Sequence, residues 1–312
     1  MSATLERPTP AVAAPRRVAP SKDSRKLIRS QVRAGWLLLA PALLHSGIFL
    51  VIPILFAVAL SFTDYSFGDS WSWVGFENYT VLFGDANFRA AFVNTVLYAV
   101  VVIPVSMAIS LAIALGLNAK IKARNFWRGV YFVPYVLAVL VIGYVFQFFF
   151  SNSLPKILAG IPLFADNILT NETWSWTAIV ALGVWQACAF AIIIYLSGLQ
   201  TIPGELYEAA SIDGAKPWRQ FTSITFPLIS AFFTINVVLS LKGFLQVFDQ
   251  VVALTNGGPG TATESVTLLI FRGGFTGGEF AYQTANAVVF FIVITIVSLL
   301  QFRVLQRREA DF

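Results

Sequence analysis

The chain has 312 residues, of which 57% are hydrophobic and only 12% are charged. Soluble domains carry about 25% charged residues, and a single soluble core cannot hide this much apolar side chain, so the composition indicates an integral membrane protein. One Cys and one His exclude a disulfide framework and argue against a metal site built from protein ligands. The formal net charge of +5 does not indicate nucleic-acid binding, because the basic residues cluster beside apolar segments.

The first 33 residues are rich in Ala, Pro and Arg and show no hydrophobic periodicity. This composition predicts a disordered, basic tail. The tail is too long, and the apolar run after it too extended, for an ordinary cleaved signal peptide. We therefore expect the tail to be retained.

Six apolar segments follow, each near the length of about 20 residues that a helix needs to cross lipid. Lipid offers no partner to an unpaired backbone group, so we expect all six to be helices. The predicted spans are 36–62, 91–117, 127–150, 177–199, 227–252 and 283–302, of which the fifth is the least apolar. The predicted fold is all-α, with a transmembrane domain over residues 34–312.

The 21 Lys and Arg residues are distributed unevenly between the connections. Seventeen lie in the tail, in the 118–128 connection, in the segment 200–226 or after the last span; three lie in the other loops and one lies within a span. Under the positive-inside rule, both termini and the segment 200–226 are predicted to be cytoplasmic.

The segment 200–226 has a pattern suited to docking rather than to crossing lipid. From Glu208 it reads Glu-Ala-Ala-Ser-Ile-Asp-Gly-Ala-Lys-Pro. Pro203 can open a helix, Gly214 can supply the left-handed turn that ends it, and Pro217 can start a second short helix. The alternative interpretation is an ordinary amphipathic loop packed on the membrane surface.

This segment resembles the EAA loop of ABC importer permeases, in which Glu-Ala-Ala is followed by three residues, Gly, nine residues and Ile-x-Leu-Pro. Phe226 stands where that family usually has Leu. In the family this loop is the coupling helix, which lies in a groove of the ATPase subunit. The resemblance assigns docking to Glu208, Ala209, Ala210 and Gly214, with Asp213 as a flanking polar contact. It also implies a type I ABC importer permease fold.

Two further stretches narrow the resemblance to carbohydrate importers. The approach from Trp185 to Glu208 and the loop Thr255-Asn-Gly-Gly-Pro are similar to the maltose-transporter "F" type of permease, found in maltose-class and glycerol-3-phosphate-class importers. The resemblance covers roughly residues 30–305 and implies import of a sugar across the bacterial cell membrane. It implies a heterodimer with a second homologous permease, together with two ATPase subunits and an extracytoplasmic solute-binding protein.

The chain has no Gly-x-x-x-x-Gly-Lys-Ser/Thr phosphate loop. We therefore expect it to be a non-enzymatic subunit without catalytic residues or a cofactor of its own. ATP and Mg²⁺ would be bound by the partner ATPases.

Polar residues inside spans usually face a bundle interior or a water-filled path, and the fifth span has the densest set. Positions 236, 240, 243 and 247 would share one face of a helix. The candidate pathway residues are Gln186, Ala187, Phe190, Asn236, Ser240, Gly243, Phe244, Gln246 and Val247, most of them placed by the resemblance. The alternative is that these groups only join helices. Lys242 would pair with a carboxylate or face an anionic solute.

Three other functions are compatible with parts of the sequence. An ABC importer for glycerol-3-phosphate or another polar solute would share the same motifs. A secondary transporter would more often show internal repeats and a coupling-ion carboxylate near mid-membrane, whereas Asp249 lies near the outer end of its span. A membrane-embedded enzyme would need a catalytic cluster that one His and almost no intramembrane acid do not supply.

Overall fold

The computed structural model describes residues 22–309 apart from positions 69, 120, 121 and 165. Its helices, in chain order, are α1 (Lys22–Ser46), α2 (Ile52–Leu60), α3 (Glu77–Gly84), α4 (Ala86–Asn118), α5 (Arg124–Val136), α6 (Val139–Phe148), α7 (Leu154–Ile157), α8 (Ser175–Leu199), α9 (Gly204–Ile212), α10 (Pro217–Gln220), α11 (Phe226–Leu228), α12 (Ser230–Leu245), α13 (Asp249–Leu254), α14 (Val266–Phe271) and α15 (Phe280–Glu309). Within these described ranges the chain forms no β-strand beyond one isolated bridge.

The N-terminal helix begins earlier than the sequence predicts. Residues 1–21 of the predicted tail lie outside the described residues, but positions 22–33 belong to α1. These positions contain Lys, Arg, Leu and Gln, all good helix formers, and no Gly or Pro. The chain through Phe56 and the chain from Ala57 onward form two compact units, and the packing described below is that of the second unit.

The helices give four to six candidate membrane spans among the described residues. Four are long and apolar enough on their own: Ser30–Leu60, Ala86–Asn118, Ser175–Leu199 and Phe280–Arg303. Two more arise from helix pairs that are long and apolar enough only together. Counting each pair as one span gives the six-span, all-α architecture that the sequence predicts.

The third predicted span is a bent pair rather than one straight helix. Arg124–Val136 and Val139–Ile157 meet at 97°. Pro134 lies inside α5 and lacks the N–H that would continue the ladder, and Leu137 then leaves the helical conformation. Beyond the bend, α6 packs against α13.

The fifth predicted span, 227–252, is also interrupted. Pro217–Leu228 and Ser230–Leu245 meet at 66°, and α12 ends at Leu245, before the predicted limit. Val247 therefore lies outside the helix, and the face that positions 236, 240 and 243 share does not extend to it. The Val247 carbonyl accepts hydrogen bonds from the hydroxyls of Ser265 at 2.8 Å and Thr267 at 2.5 Å, which replace the helical partner it would otherwise have.

The centre of the second unit is the pair α4 and α8. Tyr98 and Tyr195 are fully buried there, and small polar residues allow close approach of the two helices, as is common in membrane bundles. Ser110 donates to the carbonyl of Ser106 at 2.6 Å, and the Tyr195 hydroxyl reaches the Met107 sulfur at 3.4 Å. This packed pair forms the frame against which α5 and α12 are placed.

Candidate coupling segment and transport pathway

The segment after α8 folds into two short helices at a sharp turn. Helix α9 follows Pro203, which caps it in an extended conformation rather than occupying its first turn. Glu205 lies in that first turn, where a carboxylate interacts favourably with the helix dipole. Helix α10 begins at Pro217, whose missing N–H costs nothing at this position.

The end of α9 is a Schellman motif centred on Gly214. The N–H of Ala215 donates to the carbonyl of Ala210 at 2.9 Å, and the N–H of Gly214 donates to the carbonyl of Ser211 at 3.1 Å. Gly214 has a φ of +73°, which L-residues with side chains adopt at a cost. The predicted left-handed turn is confirmed.

Side-chain hydrogen bonds hold the two short helices together. Gln220 of α10 donates to the Ser211 hydroxyl at 3.0 Å and to the carbonyl of Ala215 at 3.1 Å. The hydroxyls of Tyr207 and Thr225 lie 2.9 Å apart. These hydrogen bonds join the two short helices into one unit, which is suited to transmit a displacement to the following long helix, α12.

The surface of this unit exposes both polar and apolar side chains. Four of the five docking residues assigned by resemblance are exposed, and Ala210 is half-buried; the five are Glu208, Ala209, Ala210, Asp213 and Gly214. Ile212 is 87% exposed and Trp218 is 75% exposed. Aromatic side chains such as Trp218 are enriched at protein-binding surfaces.

Three of the candidate pathway residues are buried within the chain's own bundle. The amide of Asn236 donates to the carbonyl of Ala191 in α8 at 3.3 Å. Phe244 packs on Gly183, where an added Cβ would lie 3.0 Å from the ring. Val247 is 3% exposed. Their environment matches the alternative interpretation, in which such groups join helices.

The other candidates are accessible or half-buried. Gln186, near the middle of α8, accepts from the Gln250 amide of α13 at 3.2 Å, which brings two carboxamides together. Phe190 stacks on Tyr135 with ring centroids 4.9 Å apart. Gly243 and Gln246 are exposed. The half-buried candidates are Gln186, Ala187, Phe190 and Ser240.

The side chain of Lys242 is exposed. It forms no ion pair with any residue in the described part of the chain. The first of the two predicted roles, pairing with a carboxylate of this chain, is thus not seen.

A network that the sequence did not predict ties the Gly-Gly-Pro loop to α4. The Tyr98 hydroxyl donates to the carbonyl of Thr263 at 2.9 Å, Asn94 donates to the carbonyl of Glu264 at 3.1 Å, and the Thr95 hydroxyl accepts from the N–H of Val266 at 3.0 Å. We call these contacts the loop brace. Glu264 follows the loop motif in sequence, but its partner lies about 170 positions away and carries no local signal.

An ion pair completes the loop brace. Arg272 lies 3.2 Å from the Glu264 carboxylate and also donates to the carbonyl of Asn256. Burial raises the pKa of the Glu264 carboxyl, and the nearby Arg272 charge opposes that rise. Gly257, at φ +85°, is packed so closely that a Cβ would lie 3.2 Å from the Arg272 guanidinium.

Comparison with known proteins shows the family of this chain. Residues 107–310 match the model of a family described as the binding-protein-dependent transport system inner membrane component. This chain belongs to that family. It is therefore a permease subunit of a binding-protein-dependent importer and an integral membrane protein.

Curated relatives match this permease along most of its length. One is the probable starch degradation products transport system permease protein AmyD of Thermoanaerobacterium thermosulfurigenes, 32% identical, with 88% of this chain and 95% of the relative covered. Another is the multiple sugar-binding transport system permease protein MsmF of Streptococcus mutans, 34% identical, with 88% and 96% covered.

A solved structure shows the same fold. It is the crystal structure of a bacterial alginate ABC transporter in complex with an alginate pentasaccharide-bound periplasmic protein. Its TM-score is 0.78 at 22% identity, covering 91% of this chain and 97% of that chain. The predicted fold of a type I ABC importer permease is confirmed.

Proposed function

We propose that this permease imports a sugar, as one half of the translocation path of an ATP-driven importer. The observation that supports the coupling role is the exposed, internally hydrogen-bonded segment around Gly214, in which Glu208 and Ala209 are exposed. Support for a sugar comes from relatives named for the transport of starch degradation products and of multiple sugars.

The proposed complex contains a second homologous permease, two ATPase subunits and an extracytoplasmic solute-binding protein. Both termini and the coupling segment would face the cytoplasm of a bacterial cell, since most Lys and Arg residues lie on that side. ATP and Mg²⁺ would bind to the ATPase subunits, and this subunit would carry out no catalysis and hold no cofactor or metal.

The proposed solute path uses the accessible candidates rather than the buried ones. Gln186 and Gln250 can offer a carboxamide donor and acceptor to sugar hydroxyls. Ser240 and Gln246 add polar groups, and Phe190 can offer an aromatic face. Gly243 leaves open space, because no atom would lie within 4 Å of a Cβ added there. The buried candidates would instead stabilise the bundle around this path; they are Asn236, Phe244 and Val247.

A copurification and transport assay tests the proposal. The tagged chain is coexpressed with its neighbouring genes, and the purified complex is reconstituted with its binding protein. ATPase activity is then measured with maltodextrins, monosaccharides and glycerol-3-phosphate in separate arms.

We expect an ATPase and a second permease to copurify, and a sugar to stimulate ATP hydrolysis. Stimulation by glycerol-3-phosphate alone would favour that solute as the substrate. If the chain purifies alone and moves solute without ATP, the secondary-transporter alternative replaces the proposal.

A further inference from the structure

A cavity between α5 and α8 combines a charged mouth with apolar walls. Its volume is about 390 Å³, within the range of about 300–1,000 Å³ typical of small-molecule sites. Arg128, Ser197 and Gln200 supply polar groups, and Phe132 and Ile193 supply apolar ones. Ser197 and Gln200 belong to the last turn of α8 and its cap, so the cavity lies at the end of the bundle that leads into the coupling segment.

The arginine in this cavity has an unused donor. The Nε of Arg128 is shielded from solvent and donates no hydrogen bond to any residue that the structure describes. The Nε of Arg124, one helical turn earlier, is also shielded and donates no hydrogen bond to a described residue. Another nitrogen of the Arg124 guanidinium donates to the Asn118 side chain at 3.1 Å. Buried polar groups are normally hydrogen-bonded, so these donors indicate a missing acceptor.

The missing acceptor is expected to be anionic. The stretch 118–136 contains four Lys or Arg residues and no Asp or Glu, and no carboxylate lines the cavity among the described residues. A guanidinium matches a phosphate in bidentate geometry. A second cavity of about 450 Å³ is lined by α4, α5 and α8 and shares Ala189 and Ile192 with the first. It has no charged lining residue and serves as an internal contrast.

We propose that the cavity at Arg128 binds the phosphate headgroup of an anionic phospholipid from the cytoplasmic leaflet. Basic pockets between transmembrane helices on the cytoplasmic side are suited to such headgroups. The polar mouth at Gln200 would hold the headgroup, and the wall of Phe132 and Ile193 would contact the start of an acyl chain. The leaflet assignment depends on the proposed orientation, but binding itself depends neither on orientation nor on transport.

The test is lipid binding to the full chain purified with its partner subunits. The delipidated complex is titrated with phosphatidylglycerol and, separately, phosphatidylcholine, and bound lipid is counted by native mass spectrometry. Arg128→Gln is compared with Lys122→Gln, which removes the same charge from an exposed position nearby that does not line the cavity. Arg128→Lys keeps the charge.

We expect Arg128→Gln to weaken phosphatidylglycerol binding about fivefold and to leave phosphatidylcholine binding unchanged. Lys122→Gln, at an exposed and screened position, should weaken it by no more than about twofold. Arg128→Lys keeps the charge but loses the bidentate fork, so its effect should fall between those of the other two variants. Ser197→Leu, an exposed and neutral change at the cavity mouth, should weaken it as well and keeps the test usable if Arg128→Gln does not fold.

Three results would overturn the proposal. Equal binding by Arg128→Gln and Lys122→Gln would remove the role of Arg128. Displacement of the lipid by inorganic phosphate would indicate a site for a free anion. Release of the second permease from the Arg128→Gln complex would show that this face is a subunit interface.

Discussion

The guanidinium of Arg272 lies 3.2 Å from the carboxylate of Glu264, which is 7% exposed at its side chain. The same guanidinium bonds the carbonyl of Asn256 across the Gly-Gly-Pro loop. Arg272 caps the end of α14, so this pair joins that helix end to the Gly-Gly-Pro loop, which the loop brace already ties to α4. Two regions distant in sequence are thereby fixed to one another.

Replacing Arg272 should destabilise the protein. In Arg272→Gln, the mostly buried Glu264 carboxylate loses its partner, and we expect the free energy of unfolding to fall by about 2 kcal/mol. This is less than the cost of breaking a fully buried pair, because Arg272 is 36% exposed. The melting temperature of the detergent-purified protein measures this. Arg89→Gln removes an exposed charge as the control, and equal melting temperatures for the two variants would contradict the prediction.

Stability should depend on pH through Glu264. Burial raises the pKa of this carboxyl in the folded state, so the folded protein holds the proton more tightly than the unfolded chain does. The resulting stabilisation is fully present below the ordinary pKa of 4.5 and is lost as the pH rises through the folded-state pKa.

Melting temperatures between pH 4 and pH 8 measure this dependence in the parent and in Glu264→Gln. The difference in melting temperature between the parent and Glu264→Gln should change with pH. In the Arg272→Gln background this change should occur at a higher pH, because the charge that opposes the rise of the Glu264 pKa is gone. A difference that stays constant over the whole range would show that Glu264 does not titrate in this way.

The contact between Gly143 and Ala253 sets the approach of α6 to α13. A Cβ on Gly143 would lie 2.5 Å from the Ala253 Cβ, and an alanine has no rotamer with which to move away. Gly143→Ala should therefore lower the free energy of unfolding by about 1–3 kcal/mol. Gly116→Ala, at a helical glycine with nothing within 4 Å, is the control.

The double variant Gly143→Ala, Ala253→Gly should recover part of the loss, because the clash is relieved while a glycine in α13 costs about 1 kcal/mol. Thermal unfolding of the parent, the control and both variants measures these differences. A double variant less stable than Gly143→Ala would show that the contact is not the cause.

Gln186 and Asn236 should respond differently to loss of their amides. Gln186→Leu should raise the KM for transported solute about threefold to tenfold, since one hydrogen bond to an uncharged group is lost. Asn236→Leu removes a bond between α12 and α8 and should lower the melting temperature while KM changes less than about twofold. The reverse pattern in reconstituted transport would place the solute at Asn236 instead.

Hydropathy predicted which parts of the chain are apolar helices but not where those helices bend. The stretch 127–150 is equally apolar whether it is straight or bent by 97°. Pro134 marked a weak point in sequence, yet a proline alone does not set the direction of the chain beyond it. That direction depends on packing between Gly143 and Ala253, which are far apart in sequence.

The coupling segment was predicted more completely than the solute path. Its turn depends on Gly214 and neighbours within a few positions, so the sequence alone carries the signal. The solute path depends on which helix faces meet. Phe244 was a candidate pathway residue, but it packs on Gly183. Val247 lies past the end of α12, where hydroxyls of the following segment donate to its carbonyl.

We infer that the turn at Gly214 couples this permease to an ATPase, and a backbone substitution tests that role. Gly214→Val introduces a β-branched residue at φ +73° in open space, so its effect comes from the backbone and not from a clash. Gly204→Val, at the start of the same helix without a positive φ, is the matched control.

The decisive measurement is ATP hydrolysis by the reconstituted complex, with and without solute-loaded binding protein. We expect Gly214→Val to reduce the stimulation about tenfold, as a cost of about 1–2 kcal/mol in the turn implies, and Gly204→Val to retain it. Full stimulation in Gly214→Val, with the ATPase still bound, would contradict the coupling role of this segment.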